Sequence, residues 1–185
     1  MERTLVLVKP DGVQKGVIGA VISRFEDAGY KIIALKMLEP TREFAENHYP
    51  LEKEWYENLW NNTKKAYEAK GLPVKETALE MGTRVRNALI RALTEGPIVA
   101  MVVEGNNVIV GDRKIAGATS PDRADPKSIR GMYSKDSYEK ADREGRSVRN
   151  IVHASDGETA TREIKVWFTE KELHDYKRIP REDQG

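Results

Sequence analysis

Apolar residues along the chain fall into short β-rich runs separated by stretches of helical spacing. Thr4 to Val8, Thr-Leu-Val-Leu-Val, is apolar enough for a central strand buried on both faces. It stops at Lys9-Pro10-Asp11-Gly12, which sets a strand-end lysine in strong turn chemistry. Ile18, Val21, Ile22, Phe25 and Ala28 recur on one helical face, and Gly29 is a suitable stop. Lys31 to Leu38 reads as a second strand, so the order strand, helix, strand begins an α/β sandwich rather than a bundle. Thr41 to Tyr49 predicts a short helix, and Trp55 and Leu59 beyond it lie one helical turn apart. The stretch from about Asn61 to Leu93 predicts an inserted helical hairpin. Its first half is polar and Gly/Pro-punctuated, and its second carries the stripe Val85, Ala88, Leu89, Ala92 and Leu93.

Pro97 to Val103 is the next strand, and Asn106 to Ala116 predicts a helix. A long loop then runs from Gly117 to Gly131, and loops of that length inside a compact domain are usually functional. Ser134 to Gly145 predicts a second helical insertion, charged and mostly solvated. Residues 150–154 read as the last strand, followed by helical spacing at Ala160, Ile164, Trp167 and Phe168. Beyond come Glu170 to Leu173 and a polar tail.

The last strand delivers His153, and Ser155-Asp156-Gly157-Glu158 has the spacing of a capping box. That predicts His153 where a strand hands over to a helix N-terminus, whose free N–H groups favour an anion. A neutral imidazole can act there as a nucleophile; a hydrogen-bonded structural histidine is the competing reading. Lys9, Arg113 and Arg130, with Thr119 as a hydroxyl donor, could converge on a polyphosphate or stand as separate solvated groups. Trp55 and Leu59 form either a packing stripe or a clamp for a planar ligand.

Composition narrows the classes. With 185 residues, the chain predicts one domain, 1–185, with insertions at about 61–93 and 134–147. Lys and Arg total 31 against 30 for Asp and Glu, which argues against a nucleic-acid binder as the main role. There is no cysteine, hence no disulfide framework and no thiolate site. No signal-peptide pattern or membrane-spanning run is evident, so a soluble cytoplasmic protein is expected. The Walker phosphate loop, Gly-x-Gly-x-x-Gly, Gly-x-Ser-x-Gly and the metal-binding His and Cys spacings are all missing.

Val8-Lys9-Pro10-Asp11-Gly12-Val13, Gly96-Pro97-Ile98-Val99-Ala100-Met101-Val102, Gly117-Ala118-Thr119, Ile129-Arg130-Gly131 and Arg149-Asn150-Ile151-Val152-His153-Ala154-Ser155-Asp156 resemble, in this order, nucleoside diphosphate kinases. The resemblance covers most of the chain outside the two insertions. It implies a ferredoxin-like βαββαβ sandwich, α/β (α+β) in class, with a four-stranded antiparallel sheet covered by helices and here an inserted helical hairpin. It also implies transfer of a terminal phosphoryl group from a nucleoside triphosphate to a nucleoside diphosphate by a ping-pong route through a phosphohistidine. His153 then matches the nucleophile, Glu163 the carboxylate that orients it, and Ser155 a hydroxyl near that carboxylate. Lys9, Tyr49, Arg113, Thr119 and Arg130 match phosphate ligands, and Asn150 with Lys9 matches the ribose contacts. Trp55 stands for a base-stacking aromatic, with Leu59 supporting the base. Mg²⁺ is implied, held mainly by the nucleotide phosphates, and so is a homo-oligomer, with a hexamer favoured over tetramers or dimers.

Three departures from the family pattern stand out. Ala154 replaces a common glycine, Ser120 replaces a common asparagine, and the interval from Asp156 to Glu163 is one residue shorter than usual.

Overall fold

The computed structural model describes residues 1–69 and 71–179. Four strands, β1 (Glu2–Val8), β2 (Lys31–Leu38), β3 (Ile98–Gly105) and β4 (Val152–Ala154), form one sheet in the order β2-β3-β1-β4, with every neighbouring pair antiparallel. The helices are α1 (Pro10–Gln14), α2 (Ile18–Asp27), α3 (Arg42–His48), α4 (Lys53–Glu68), α5 (Ala78–Leu93), α6 (Val108–Ala116), α7 (Ile129–Tyr133), α8 (Tyr138–Arg143) and α9 (Ala160–Trp167). Strand order and antiparallel pairing are those of the expected ferredoxin-like sandwich.

The apolar run of β1 explains its central position. Successive strand side chains face opposite ways, and both faces of β1 are covered. Leu5 and Leu7 join Ile33, Ala100 and Val102 under α3, α5 and α9, through Ala45, Ile90, Leu93 and Trp167. Val6 and Val8 join Met101 and Val103 on the other face under α2, α6 and α7, through Phe25, Val108 and Ile129. Burying one such side chain contributes roughly 1.5–3 kcal/mol.

Some elements differ from the sequence expectation. The hairpin opens at Lys53 rather than Asn61, because nothing between Trp55 and Ala69 breaks a helix; Gly71 and Pro73 make the turn. Trp55 and Leu59 therefore belong to the hairpin's first helix. Its second helix, α5, is not an appendage: Ile90 and Leu93 are core residues against β1. Of the hairpin's two helices, only α4, which buries no residue fully, stands outside the two layers. Thr77 and Glu80 form the capping box that starts α5. In the second insertion the helix is limited to α8; most of its residues are exposed, as expected, with Ser134, Asp136 and Ala141 buried among them.

The expected strand at 150–154 begins only at Val152, because Ile151 has φ of 69°. That left-handed conformation is a true outlier for a β-branched residue. It also breaks the side-chain alternation: Ile151 and Val152 both enter the core beneath α2 and α6. After α9 the chain returns along β2, where the His174 N–H donates to the Ile33 carbonyl at 2.8 Å.

Because Leu7 is fully buried, Leu7→Ala should lower the unfolding free energy by about 2–5 kcal/mol. Leu79→Ala, at a side chain 53% exposed, should change it by less than about 0.5 kcal/mol. Urea unfolding of the two variants measures both effects, and equal losses would contradict this assignment of the core.

Candidate active site

The site begins with the turn into β4. Ile151 is held in its unusual conformation from both sides. Its N–H donates to the Asp11 carboxylate at 2.9 Å, and its carbonyl accepts the Lys9 N–H at 2.8 Å. Gly12 is needed for this approach, since a Cβ there would lie 2.9 Å from the Ile151 carbonyl oxygen. Lys9-Pro10-Asp11-Gly12 thus acts as a backbone vice on the residue two before His153.

Register then aims the histidine. His153 lies opposite Leu7 on β1, and directly paired residues share a sheet face. It therefore projects under α3 and α9. There its Nε2 lies 2.7 Å from Oε2 of Glu163 on α9, and the Ser155 hydroxyl donates to the same oxygen. Burial pushes the Glu163 carboxyl up, but hydrogen bonding and charge from His153, with the Ser155 hydroxyl, outweigh it and hold its pKa down at about 2. An ionised Glu163 accepts the Nε2 proton, so the ring's lone pair resides on Nδ1.

His48 forms the wall behind. Its ring packs edge-on to His153 at 4.7 Å and to Tyr49 at 4.4 Å between centroids. The Trp167 indole N–H donates to His48 Nδ1 at 3.1 Å. Burial, reinforced by the charge of His153, drops the His48 pKa to about 3, so this ring is neutral. With Nδ1 accepting, Nε2 carries the proton, and that buried nitrogen has no protein partner. His48, His153 and Glu163 are close enough together to suggest a metal centre. The donor set does not suit one, because the Trp167 bond uses the His48 lone pair and Glu163 serves His153 and Ser155.

The cations come from the turn after β1 and from the helices α6 and α7. The Lys9 amine donates to Asn150 Oδ1 at 2.7 Å and to the Val148 carbonyl at 3.3 Å, while Asn150 Nδ2 donates to the Thr119 carbonyl at 2.8 Å. Burial lowers the Lys9 pKa. Arg130 donates to the Gly117 carbonyl at 2.6 Å and, immediately before His153, to the Val152 carbonyl at 3.0 Å. Burial brings its pKa down to about 10, and its Nε is a buried donor without a partner. Arg113, in the last turn of α6, and Thr119 are exposed. None of Lys9, Arg113 and Arg130 makes an ion pair with a described carboxylate. Lys9 and Arg130 are buried, and carboxylates such as Asp11 and Asp112 act on them without a direct ion pair; buried charge without a direct partner is costly, so this arrangement suits an anionic ligand.

Tyr49 stands with its ring 6.3 Å from that of His153, and its backbone carbonyl accepts a hydrogen bond from Arg86 of α5 at 2.5 Å. Burial raises the Tyr49 pKa, so the phenol stays protonated. Trp55 and Leu59 are half-buried on α4, which packs against α5. The ring contacts linking Tyr49, His48 and His153 do not extend to them. The small cavity beside Lys9 takes its apolar wall from Ala88, Ala92 and Val148 instead.

The capping-box expectation does not hold. Ser155 spends its hydroxyl on Glu163, and Asp156 Oδ1 accepts the Thr159 N–H at 3.0 Å instead. The helix begins only at Ala160, so His153 is oriented by a carboxylate rather than by a helix N-terminus. Sequence reasoning assigned no site role to His48 or Asp11. Asp11 had a signal in the turn motif, whereas the tie between His48 and Trp167 spans the fold and had none.

Comparison with known proteins agrees with this geometry. The family model described as nucleoside diphosphate kinase matches residues 2–71 and 78–173. A nucleoside diphosphate kinase of Pyrobaculum aerophilum is 44% identical over 179 residues, covering 94% of this chain and 98% of that protein. A crystal structure of an NDP kinase from the same organism superposes with a TM-score of 0.87 at 42% identity, covering 94% of this chain and 99% of that one. A Borrelia burgdorferi nucleoside-diphosphate kinase, solved as a transition-state mimic with vanadate and ADP, gives 0.77 at 37% identity over 96% of this chain and 92% of its own. The matched residues include all four strands and every side chain that meets at His153, and the chain belongs to the nucleoside diphosphate kinase family.

Proposed function

We propose that the chain performs its family's reaction, transfer of the terminal phosphoryl group from a nucleoside triphosphate to a nucleoside diphosphate, through a phosphohistidine on His153. The observation carrying this reading is the commitment of Nε2 to Glu163, which leaves the Nδ1 lone pair as nucleophile. In the first half-reaction a bond forms from Nδ1 to the terminal phosphorus. The bond from that phosphorus to the bridging oxygen breaks, and the nucleoside diphosphate leaves with the electron pair. In the second, a terminal oxygen of the incoming diphosphate attacks the same phosphorus and Nδ1 departs. Glu163 stabilises the positive charge on the ring while the N–P bond exists.

Lys9, Arg113 and Arg130 neutralise charge spread over the transferring oxygens, with Thr119 and Tyr49 as hydroxyl donors. A unit-charge pair at about 4 Å is worth about 4 kcal/mol at intermediate dielectric. Asn150, with Lys9, contacts the ribose, and Trp55 with Leu59 receives the base. Mg²⁺ enters with the nucleotide, as counter-ion to its phosphates. Ala154 and Ser120 stand close to this machinery but remove none of it.

The active form is a homo-oligomer, a hexamer by preference. Support comes from β2, an edge strand carrying Leu35 and Met37 at 52% and 56% exposure; apolar edges invite a partner. No helix among the described residues is long and apolar enough to cross a membrane, and the cytoplasm is the proposed compartment.

Incubation with γ-labelled ATP alone should yield an acid-labile phosphoenzyme. His153→Ala should lose it and lower turnover by at least about a thousand-fold while still binding nucleotide. A folded His153→Ala protein that exchanges phosphate between ATP and GDP would sink this mechanism. Trp55→Ala should raise KM for purine and pyrimidine nucleotides by a similar factor, about five-fold; unchanged KM values would assign the base to the wall formed by α5 and Val148. Leu35→Lys combined with Met37→Lys should lower the particle mass seen by light scattering, and an unchanged mass would exclude the β2 edge as the interface.

A further inference from the structure

The short helix α3 ends in a way that its own residues cannot satisfy. The chain leaves it through His48-Tyr49-Pro50. Proline has no N–H, so the Glu46 carbonyl, which position 50 would serve in a continuing helix, is left over. The residue before a proline also avoids the α region, and Tyr49 leaves it with φ of −110° and ψ of 73°. The Tyr49 N–H covers the Ala45 carbonyl at 3.0 Å. Glu46, Asn47 and His48 are then without an N–H of the helix itself.

Two guanidinium groups from other elements close this end. Arg86 of α5 donates from Nε to the Tyr49 carbonyl at 2.5 Å and from Nη2 to the Glu46 carbonyl at 3.2 Å. Arg162 of α9 donates from Nη1 to the Asn47 and His48 carbonyls at 3.2 and 3.4 Å, and its Nη2 stands 3.6 Å from Oε1 of Glu163. Four successive carbonyls are thus held by cations, which suits the negative end of a helix. The same short segment forms the wall of the site, with the His48 and Tyr49 rings 4.7 and 6.3 Å from that of His153. Arg86 does more than cap. Its planar fork spans one carbonyl inside the helix and one beyond it, so it fixes the turn at Tyr49 as well.

We propose that Arg86 is a positioning residue for phosphoryl transfer, fixing the turn at Tyr49 so that the phenol is held beside His153. The assignment rests on the reading of His153 as nucleophile and Tyr49 as a donor to phosphate. Arg86 belongs to the second helix of the hairpin, so the hairpin serves the site through the backbone of Tyr49. Arg162 secures the same helix end from α9. Lysine replaces Arg86 only in part, because one ammonium does not match a fork across two carbonyls.

Calorimetric titration of the full chain with ADP and rapid-quench phosphorylation by γ-labelled ATP test this as a double-mutant cycle with Tyr49→Phe. Arg86→Met should weaken ADP about three- to ten-fold and slow phosphoenzyme formation about ten-fold or more. Arg86→Lys should recover part of both losses. In the Tyr49→Phe background, Arg86→Met should cost no more than about two-fold in either measurement, because the hydroxyl it positions is gone. Losses that multiply in full would overturn the proposal and leave Arg86 as a helix cap alone. Equal values for wild type and Arg86→Met would overturn it too. If Arg86→Met does not fold, Arg86→Lys carries the same cycle and is judged by the same criterion. Absence of phosphoenzyme in the wild type would instead count against the His153 reading, leaving the ADP cycle to decide Arg86.

Discussion

The peptide entering β4 turns through a left-handed isoleucine, and the reactive geometry depends on that turn. A β-branched residue there costs about 1–3 kcal/mol, so it persists only where the surroundings over-determine it. Here Asp11 holds its N–H, Lys9 holds its carbonyl, and its side chain is fully buried. The turn changes which side chains face which layer. With Ile151 and Val152 both directed toward α2 and α6, His153 is left facing Glu163 and His48. The same four-residue turn supplies the Lys9 side chain that reaches Asn150. Strand register, backbone strain and charge placement are therefore one construction.

Electrostatically, the site departs from the habits of the rest of the chain. Elsewhere, several well-shielded cations pair directly with carboxylates, as in Lys31 with Glu104 at 2.9 Å and Arg146 with Asp136. Around His153 the buried cations Lys9 and Arg130 meet only neutral carbonyl and amide oxygens. Neutral acceptors satisfy the N–H groups, and burial lowers the pKa of both, opposed only at a distance by carboxylates such as Asp11 and Asp112. Folding thus sustains a desolvation cost that an incoming polyphosphate relieves. His48 avoids adding to it by remaining neutral.

Much of the fold was legible because its signals are local. The apolar run of β1 forces a central position, and helical spacing located α2, the core face of α5 and α9. The family motifs marked His153, Lys9, Arg130, Asn150 and Glu163, and the structure brings these side chains into one region. What escaped was decided by tertiary partners. Ser-x-x-Glu is a sound capping pattern, yet the buried Glu163 competes successfully for the Ser155 hydroxyl. Asn61 looked like a boundary because it opens a polar stretch, but polarity does not end a helix lying on the outside of another. The charged run before Arg149 is mostly solvated, as its pattern says, but the burial of Asp136 within it escaped, since it depends on Arg146 closing over the carboxylate. Trp167 binding to His48 joins α9 to α3, and no spacing rule could foresee it.

The Asp136–Arg146 tie also bears on chain entropy. Closing a flexible loop costs about (3/2)RT ln n, so that doubling its length adds only roughly 0.6 kcal/mol. Because Asp136 grips both Arg146 and the Arg149 N–H, the chain from Arg130 to Asn150 is divided into shorter closed segments. The length between Asp136 and Arg146 is thereby insulated from the length that matters to Asn150. Such a partition lets evolution enlarge or rebuild α8 almost freely, while the arm that carries the nucleophile keeps its reach.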